Sequence, residues 1–444
     1  MDKILRNTNI WDLHIHTPLG TPTKKNYENA STEEFIDTII DIYNKSNNKI
    51  GMISFTDHNK INADAYELFK IKSDIAIIPG IEVDVYLSEK DKDSKHIIFY
   101  FDEEELENIR ELKTLVEDYI ESNEKVIFED FIMYLVVKRK HFAVSPHAFK
   151  QGKRGIDNDW FDEERASRGA NEFTGLIFPF WEAAGKTDIC KAIEFLNEQY
   201  NDEYNNQSVI AFSDSADYKK LQNYINNPHQ YFRCLNSFKG LLLAGSDPDR
   251  IIYENENRPL YNPFEKFSNS EVFQIYATTS ELLSKLKDSI EFSSVIEDID
   301  SLTELKSEKV QKIIYVHNSE YVDLHKTSPG MQTNAVMEYI LHSESTIPLF
   351  IDQPEDNIDN EARYAQLTKW IRKQKYNRQI ILVTHDANIV INGDAENVII
   401  ANHTADKFQY DYGALEYGDI LDNAAIILDG GKIAIHRRIE KYGE

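Results

Sequence analysis

Short apolar runs alternate with amphipathic stretches through the first half of the chain. The runs are residues 50–55, 75–85, 96–101, 142–145, 176–181 and 209–212. They are rich in Ile, Val and Phe and read as strands. Between them, residues 32–44 and 103–121 repeat their apolar side chains at the helical period. Strands alternating with helices predict an α/β fold with a mainly parallel sheet or barrel. In such a barrel, functional groups gather at the C-terminal strand ends. From 254 to 270 the composition turns to Asn, Glu, Pro and Ser, as at a joint between domains. A helix-rich stretch follows over 270–308, then strands are expected at 347–352, 379–384, 397–401 and 425–428. The expected division is a first domain over 1–235, a connecting segment over 236–270 and a second domain over 271–444. There is no internal repeat, low-complexity tract or sustained heptad run.

Composition narrows the classes. A length of 444 residues with 41% hydrophobic content suits two globular domains. The formal charge of -27 disfavours non-specific binding to a phosphate backbone. Any nucleic-acid contact therefore needs a local basic patch, bound metal ions or a basic partner. Cys190 and Cys234 stand alone, without CxxC spacing, so neither a zinc ribbon nor a disulfide framework is expected. Both read as reduced thiols of a cytosolic protein. The N-terminal sequence MDKILRNTNIWDLHIH lacks the apolar core of a signal peptide. No run approaches the ~20 apolar residues of a membrane span. The expectation is a soluble, cytoplasmic protein without membrane partners.

Candidate chemistry falls at the ends of the apolar runs. Asp12-Leu13-His14-Ile15-His16 puts two imidazoles on one side of an extended segment, so that both can reach one ion. Thr56-Asp57-His58, Gly80-Ile81-Glu82, His96, Pro146-His147 and Ser213-Asp214 follow in order. An HxH alone is weak evidence. A full set of such groups at strand termini is not explained as solvated surface. Asp12 and Asp57 are expected to orient imidazoles. Lys150, Lys153 and Arg154 either bind substrate phosphate or form a solvated basic loop.

The order HxH, TDH, GxE, H, PH, SD resembles the PHP (polymerase and histidinol phosphatase) family over about residues 8–220. The resemblance implies a distorted (β/α)7 barrel. It also implies that His14, His16, Glu82 and Asp214 bind one metal, and that Glu82 bridges to a second held by His96 and His147. A third ion in that family is held by three histidines, of which only His58 remains. Ala216 stands where one of the others would be. Two well-bound divalent ions and a weak or absent third are expected. Imidazoles mixed with carboxylates suit Zn²⁺, Mn²⁺ or Fe²⁺. Two such ions activate water and stabilise the attacking and leaving oxygens of phosphoester hydrolysis.

The second half carries a different signature. Residues 347–356 form an apolar run ending in acids, IPLFIDQPED, and Asn357-Ile358-Asp359-Asn360 follows. Further on comes Leu382-Val383-Thr384-His385-Asp386. This resembles the C-terminal lobe of ABC/SMC-type ATPases. The resemblance implies that Asp352 supports Mg²⁺, Glu355 polarises the attacking water, Asp359 lies in the D-loop and His385 contacts the γ-phosphate. Ser328-Pro329-Gly330-Met331 resembles the signature loop that caps ATP, with Met331 departing from the usual polar residue. The combination is similar to the TrlF family of PHP–ATPases. Residues 237–252 (SFKGLLLAGSDPDRII) resemble the segment joining the two parts in that family, which places them in the connecting segment. The phosphate-binding GxxxxGK[ST] loop is missing. Gly185-Lys186-Thr187 has Phe180 where the first glycine belongs.

The isolated chain is therefore expected to bind ATP poorly. Either a partner ATPase subunit supplies the Walker A lobe, in a homo- or hetero-oligomer, or the lobe is a degenerate docking platform. The resemblance implies a nuclease effector gated by a partner ATPase, in bacterial anti-phage defence. A phosphatase acting on a nucleotide or small phosphoester, and a non-catalytic scaffold subunit, are the alternatives.

Overall fold

The computed structural model of the chain describes residues 8–19, 27, 30–86, 88–148, 180–183, 185–199, 208–253, 273–275, 314–317, 320–323, 327–328, 332, 347–357, 367–404 and 407–442. The chain is α/β and divides into two compact units, Met1–Asn257 and Arg258–Glu444. Among the described residues no helix is long and apolar enough to cross a membrane.

The first unit contains strands β1 (Thr8–Ile15), β2 (Ile50–Phe55), β3 (Ala76–Ile77), β4 (Gly80–Tyr86), β5 (Lys95–Phe101), β6 (Val126–Ile127), β7 (Phe142–Ala148), β8 (Phe180–Ala183), β9 (Ser208–Ile210), β10 (Gln230–Arg233) and β11 (Ile251–Tyr253). They form two sheets, ordered β11-β10-β1-β2-β3 and β6-β4-β5-β7-β8-β9. Strands β1, β2 and β3 run parallel, as do β7, β8 and β9, but β5 opposes both its neighbours and β10 opposes β1 and β11. The sheets are thus mixed, not mainly parallel. Short backbone bridges, Ile15 with Ser215 and His58 with Glu82, join segments of the two.

Among the described residues this unit also has helices α1 (Thr32–Lys45), α2 (Ala63–Lys72), α3 (Ile109–Ser122), α4 (Phe128–Val137), α5 (Ile189–Gln199), α6 (Tyr218–Asn226) and α7 (Phe238–Ser246). Helix α1 starts at a capping box in which Ser31 and Glu34 satisfy each other's backbone amides. It buries Phe35, Ile36, Ile39 and Tyr43, the stripe that a 3.6-residue period places on one face. The core runs through both sheets; Trp11 stacks on Phe232 at 4.3 Å, and Phe99 meets Phe131 edge-on at 5.0 Å. Phe238, Leu241, Ala244 and Ile251 are buried in this same core. Residues 238–253, expected within the connecting segment, are therefore a helix and edge strand of the first unit.

The apolar run over 75–85 is two strands, because Pro79 has no amide to donate to a ladder. Gly80 then lets β4 pass close to β2: a Cβ there would sit 2.5 Å from Ser54 Oγ and 2.8 Å from Thr56 Cγ2. The buried Tyr66 hydroxyl locks this crossing, accepting from Gly80 N at 2.8 Å and from Phe55 N at 3.1 Å. Gly80→Val is expected to cost about 1–3 kcal/mol by overpacking. A chemical-denaturation curve of the full chain checks this, and an unchanged midpoint would refute the close crossing.

In the second unit, β12 (Phe273–Ile275), β15 (Leu349–Asp352) and β16 (Ile380–Val383) form a parallel sheet in the order β12-β15-β16. Two hairpins pair β13 (Ile314–His317) with β14 (Glu320–Asp323), and β17 (Val398–Thr404) with β18 (Lys407–Gly413). Helices α8 (Lys369–Gln374), α9 (Ala387–Asn392), α10 (Ile420–Asp429) and α11 (Lys432–Tyr442) follow in chain order around them. The strand expected at 425–428 is instead the end of α10. Gly430, at φ 79°, closes that helix in the left-handed conformation, its amide reaching the carbonyls of Ala425 and Ile426. A short apolar run fits either structure by periodicity; the glycine decides it. The helix-rich stretch expected over 270–308 contains strand β12 at Phe273–Ile275, and residues 276–308 lie outside the described residues.

Candidate functional site

The antiparallel course of β5 explains one oddity of the sequence. His96 begins its strand, whereas His14, His16, His58, His147 and Asp214 lie near or beyond the ends of theirs and Glu82 lies within β4. Because β5 opposes β4 and β7, its start lies beside their C-terminal ends, with His96 opposite Asp84 and Ile97 opposite Pro146. All the histidines of the set thus converge on Glu82.

Glu82 is buried and divides its two oxygens between two groups of imidazoles. Oε1 lies 2.7 Å from His96 Nδ1 and 2.9 Å from His147 Nε2. Oε2 lies 3.6 Å from both His14 Nε2 and His16 Nε2, and 3.1 Å from His58 Nδ1. Asp214 Oδ1 faces the same two Nε2 atoms, 3.6 Å from His14 and 3.4 Å from His16. These separations are too long for hydrogen bonds. They match the about 3.4 Å edge of a tetrahedron whose corners lie about 2.1 Å from a central ion. His14 Nε2 is buried without a hydrogen bond, as a ligand atom reserved for a cation would be. Three triads, His14–Glu82–His147, His14–His16–Asp214 and His16–His58–Glu82, each bring their ligand atoms within 4.8 Å of one another. These buried groups can hold a metal ion.

Local structure fixes the loops that carry the ligands. Asp214 adopts φ 42°, a left-handed conformation uncommon for a residue with a side chain. His16 N donates to Ser215 O at 2.9 Å and Ser215 N to His14 O at 3.2 Å, which ties the Asp214 turn to β1. Likewise Glu82 N donates to Asp57 O at 3.2 Å and Asn59 N to Glu82 O at 2.7 Å, tying the His58 turn to β4. Lys220, in the first turn of α6, donates to the Asp214 carbonyl and lies 3.8 Å from its Oδ2.

The electrostatics follow from burial and close pairing. Burial alone would raise the Glu82 carboxyl, but His14, His147 and His96 hold it well below the usual carboxylate range. Burial would lower the His14 imidazole, yet the carboxylates of Glu182 and Asp214 raise it well above its ordinary value. At His58 burial prevails over the pull of Glu82 and pushes the imidazole down to about 4, so it stays neutral and able to ligate at pH 7. At His96 burial is outweighed by Asp84 and Glu82, which raise it.

Asp12 and Asp57 do not take the role expected of them. Asp12 accepts from Ser213 N at 3.0 Å, and Asp57 accepts from Thr17 N and Thr17 Oγ1, both at 2.6 Å. They brace the chain on either side of the ligands; neither binds an imidazole through its carboxylate among the described residues. Besides Glu82 and Asp214, the described carboxylates that contact these imidazoles are Asp84, 3.0 Å from His96 Nε2, and Glu182, 2.8 Å from His14 Nδ1. Sequence reasoning passed over Glu182. Its signal is a single acid within the wholly buried strand Phe180–Ala183. A charge so placed calls for a partner. Lys150, Lys153 and Arg154 lie outside the described residues.

In the second unit, β15 ends at the exposed Asp352, and Gln353, at φ 44°, turns the chain into a short 3-10 segment. Glu355 is buried there and engages the end of β16. Its Oε1 accepts from Thr384 Oγ1 at 2.6 Å and from His385 N at 2.7 Å, and lies 2.9 Å from His385 Nδ1. Of the signature-like segment Ser328 is described, while Gly330, Met331 and Asp359 lie outside the described residues. Phe180 lies in a strand and Lys186–Asp188 in a 3-10 turn. A scan of the chain against protein-family models and a search among curated proteins find no match.

Proposed function

We propose that the first unit is a metal-dependent phosphoesterase that uses two divalent ions bridged by Glu82. The observation that carries this reading is the division of the Glu82 carboxylate between two groups of imidazoles. His14, His16, Asp214 and Glu82 would hold one ion, and His96, His147 and Glu82 would hold the other. His58, beside Oε2, offers a ligand toward a further, weaker site. The donor set suits Zn²⁺, Mn²⁺ or Fe²⁺. Bound ions supply Lewis acidity toward a phosphoryl group and a nucleophile at neutral pH. The chain's own part is to fix the ligands: Asp12 and Asp57 pin the loops, and Asp84 and Glu182 aim imidazoles. Lys220 offers a cation at the rim of an otherwise acidic site. We read the two sheets as one distorted barrel of the PHP type, a reading supported by the two bridges that join them.

Nucleic acid is the leading substrate class, with nucleotides and small phosphoesters the alternative. The full-length protein with Mn²⁺ is expected to release nucleotide or phosphate from a panel of DNA, RNA and phosphomonoesters. Absence of release across the panel would overturn the catalytic reading in favour of a scaffold subunit.

For the second unit we propose an ATPase-like lobe completed by a partner chain that brings the phosphate-binding loop, possessing its own acid, Glu355, and its own histidine, His385. The contact of these two residues at the end of β16 supports this reading. In the complex purified with that partner, Glu355→Gln is expected to lower ATP hydrolysis by about 100-fold or more. Unchanged turnover there and in Ser328→Arg would leave the lobe as a docking platform.

A further inference from the structure

We infer that the solvent face of α4 is a contact surface between two copies of this chain, paired antiparallel. Helix α4 buries Phe128, Phe131 and Leu135 on one side. Phe131 packs on Phe99 and Tyr119, with ring centroids at 5.0 and 5.3 Å, so the helix is held firmly against the core. At about 100° per residue, its opposite side carries Glu129, Asp130, Met133, Val136 and Val137. All five are exposed. Met133, Val136 and Val137 show 59%, 52% and 71% of their surface to solvent. Single exposed apolar residues are ordinary, but three adjoining ones on one helical face mark a contact surface. Lys138 and Arg139 follow, both exposed. Arg139, at φ 57°, turns the chain out of the helix, its amide donating to Val136 O at 2.9 Å. The strip therefore reads acid, apolar, base along its length. The helix dipole favours acids in the first turn and cations after the last, which accounts for the charges but not for the apolar middle.

The order of the strip selects its occupant. Turned end to end against a copy of itself, it sets Asp130 against Arg139 and Met133 against Val136. A two-fold axis repeats both pairs, as a contact between identical surfaces requires. A parallel copy would stack acid on acid. An anionic partner, whether peptide, nucleic acid or membrane, would be repelled by Glu129 and Asp130 at one end. A groove of about 490 Å³ between α3 and α4, with Leu115, Tyr134 and Lys138 in its wall, adjoins the strip and widens the contact beyond one helix. The affinity is held low from two sides. A ten-residue helix covers less than the about 1,000 Å² of a stable interface. Two chains of formal charge -27 also repel at long range.

Sedimentation velocity of the full-length protein tests this, with the melting temperature of each variant measured beside it. Wild type is expected to dimerise with a dissociation constant of about 1–100 µM. Met133→Asp puts two carboxylates at the centre of the contact and should weaken the dimer about 100-fold or more. Asp130→Arg and Arg139→Asp should each weaken it about 10-fold or more, since each sets like charges opposite one another. The double variant Asp130→Arg/Arg139→Asp exchanges the charges and should bring the dimer back, an outcome that damage to the helix would not produce. If Asp130→Arg does not fold alone, Met133→Asp and Arg139→Asp decide. A wild type that stays monomeric at about 100 µM would overturn the inference, as would a dimer unmoved by Met133→Asp. A monomer that instead sediments with phosphatidylserine vesicles would overturn it in favour of a membrane. Failure of the double variant to recover would overturn the antiparallel pairing.

Discussion

Glu82→Gln is expected to strip both ions from the full-length protein and to lower metal-dependent phosphoester hydrolysis by about 1,000-fold or more. The size of the effect comes from the shared position of this carboxylate. Every imidazole of the set except His14 and His16 touches it at 3.1 Å or less, and those two face it at 3.6 Å. Replacing a bridging anion by a neutral amide removes one ligand and one negative charge from both ions together. Loss of a ligand to one ion only, as in Asp214→Asn, should leave the second bound. Metal content by emission spectrometry separates the two variants. Two ions retained in Glu82→Gln would show that Glu82 is no bridge.

Removal of the ions should also lower the melting temperature of the first unit by about 10–20 °C. A ligand held at 100 times its dissociation constant stabilises the fold by about 2.7 kcal/mol, so two contribute about 5. In a domain of this size each kcal/mol is worth about 2–4 °C. The difference between metal-loaded and stripped protein should widen as pH rises from 6 to 8, for two reasons of the same sign. Metal binding displaces protons from imidazoles, so it strengthens with pH. In the stripped protein His14 is raised well above its ordinary value: burial opposes this, and Glu182 and Asp214 prevail. A group raised on folding stabilises the stripped fold fully below its unfolded value of about 6.5 and loses that contribution as pH rises. Scanning calorimetry with and without chelator across this range checks the trend. A difference that shrinks with pH would refute it.

How much of this was legible in the sequence depended on whether a signal was local. The HxH pair, Glu82 and His147 announce themselves because an ionisable residue at the end of an apolar run is conspicuous. His96 was legible as a candidate, but its place at the start of a strand made sense only once β5 proved antiparallel. The roles of Asp12 and Asp57 were misjudged because their partners, Ser213 and Thr17, come from loops that no periodicity connects to them. Glu182 hid in a four-residue strand, too short for a pattern. The end of α10 was taken for a strand because apolar residues outnumber the turn signals there. Residues 238–253 read as a connector only by likeness to a joining segment, and such a likeness carries no information on the core in which Phe238, Leu241 and Ile251 are buried.

The ligands are spread along the chain in a way that bears on how the protein acquires its metal in the cell. Asp214 follows His14 by 200 residues in the chain. At 5–20 residues per second, ribosomal synthesis separates the two by about 10–40 s. Until Asp214 emerges, His14 and His16 lack one carboxylate of the triad they form with it. On the two-metal reading, loading would therefore be an event of the finished first unit.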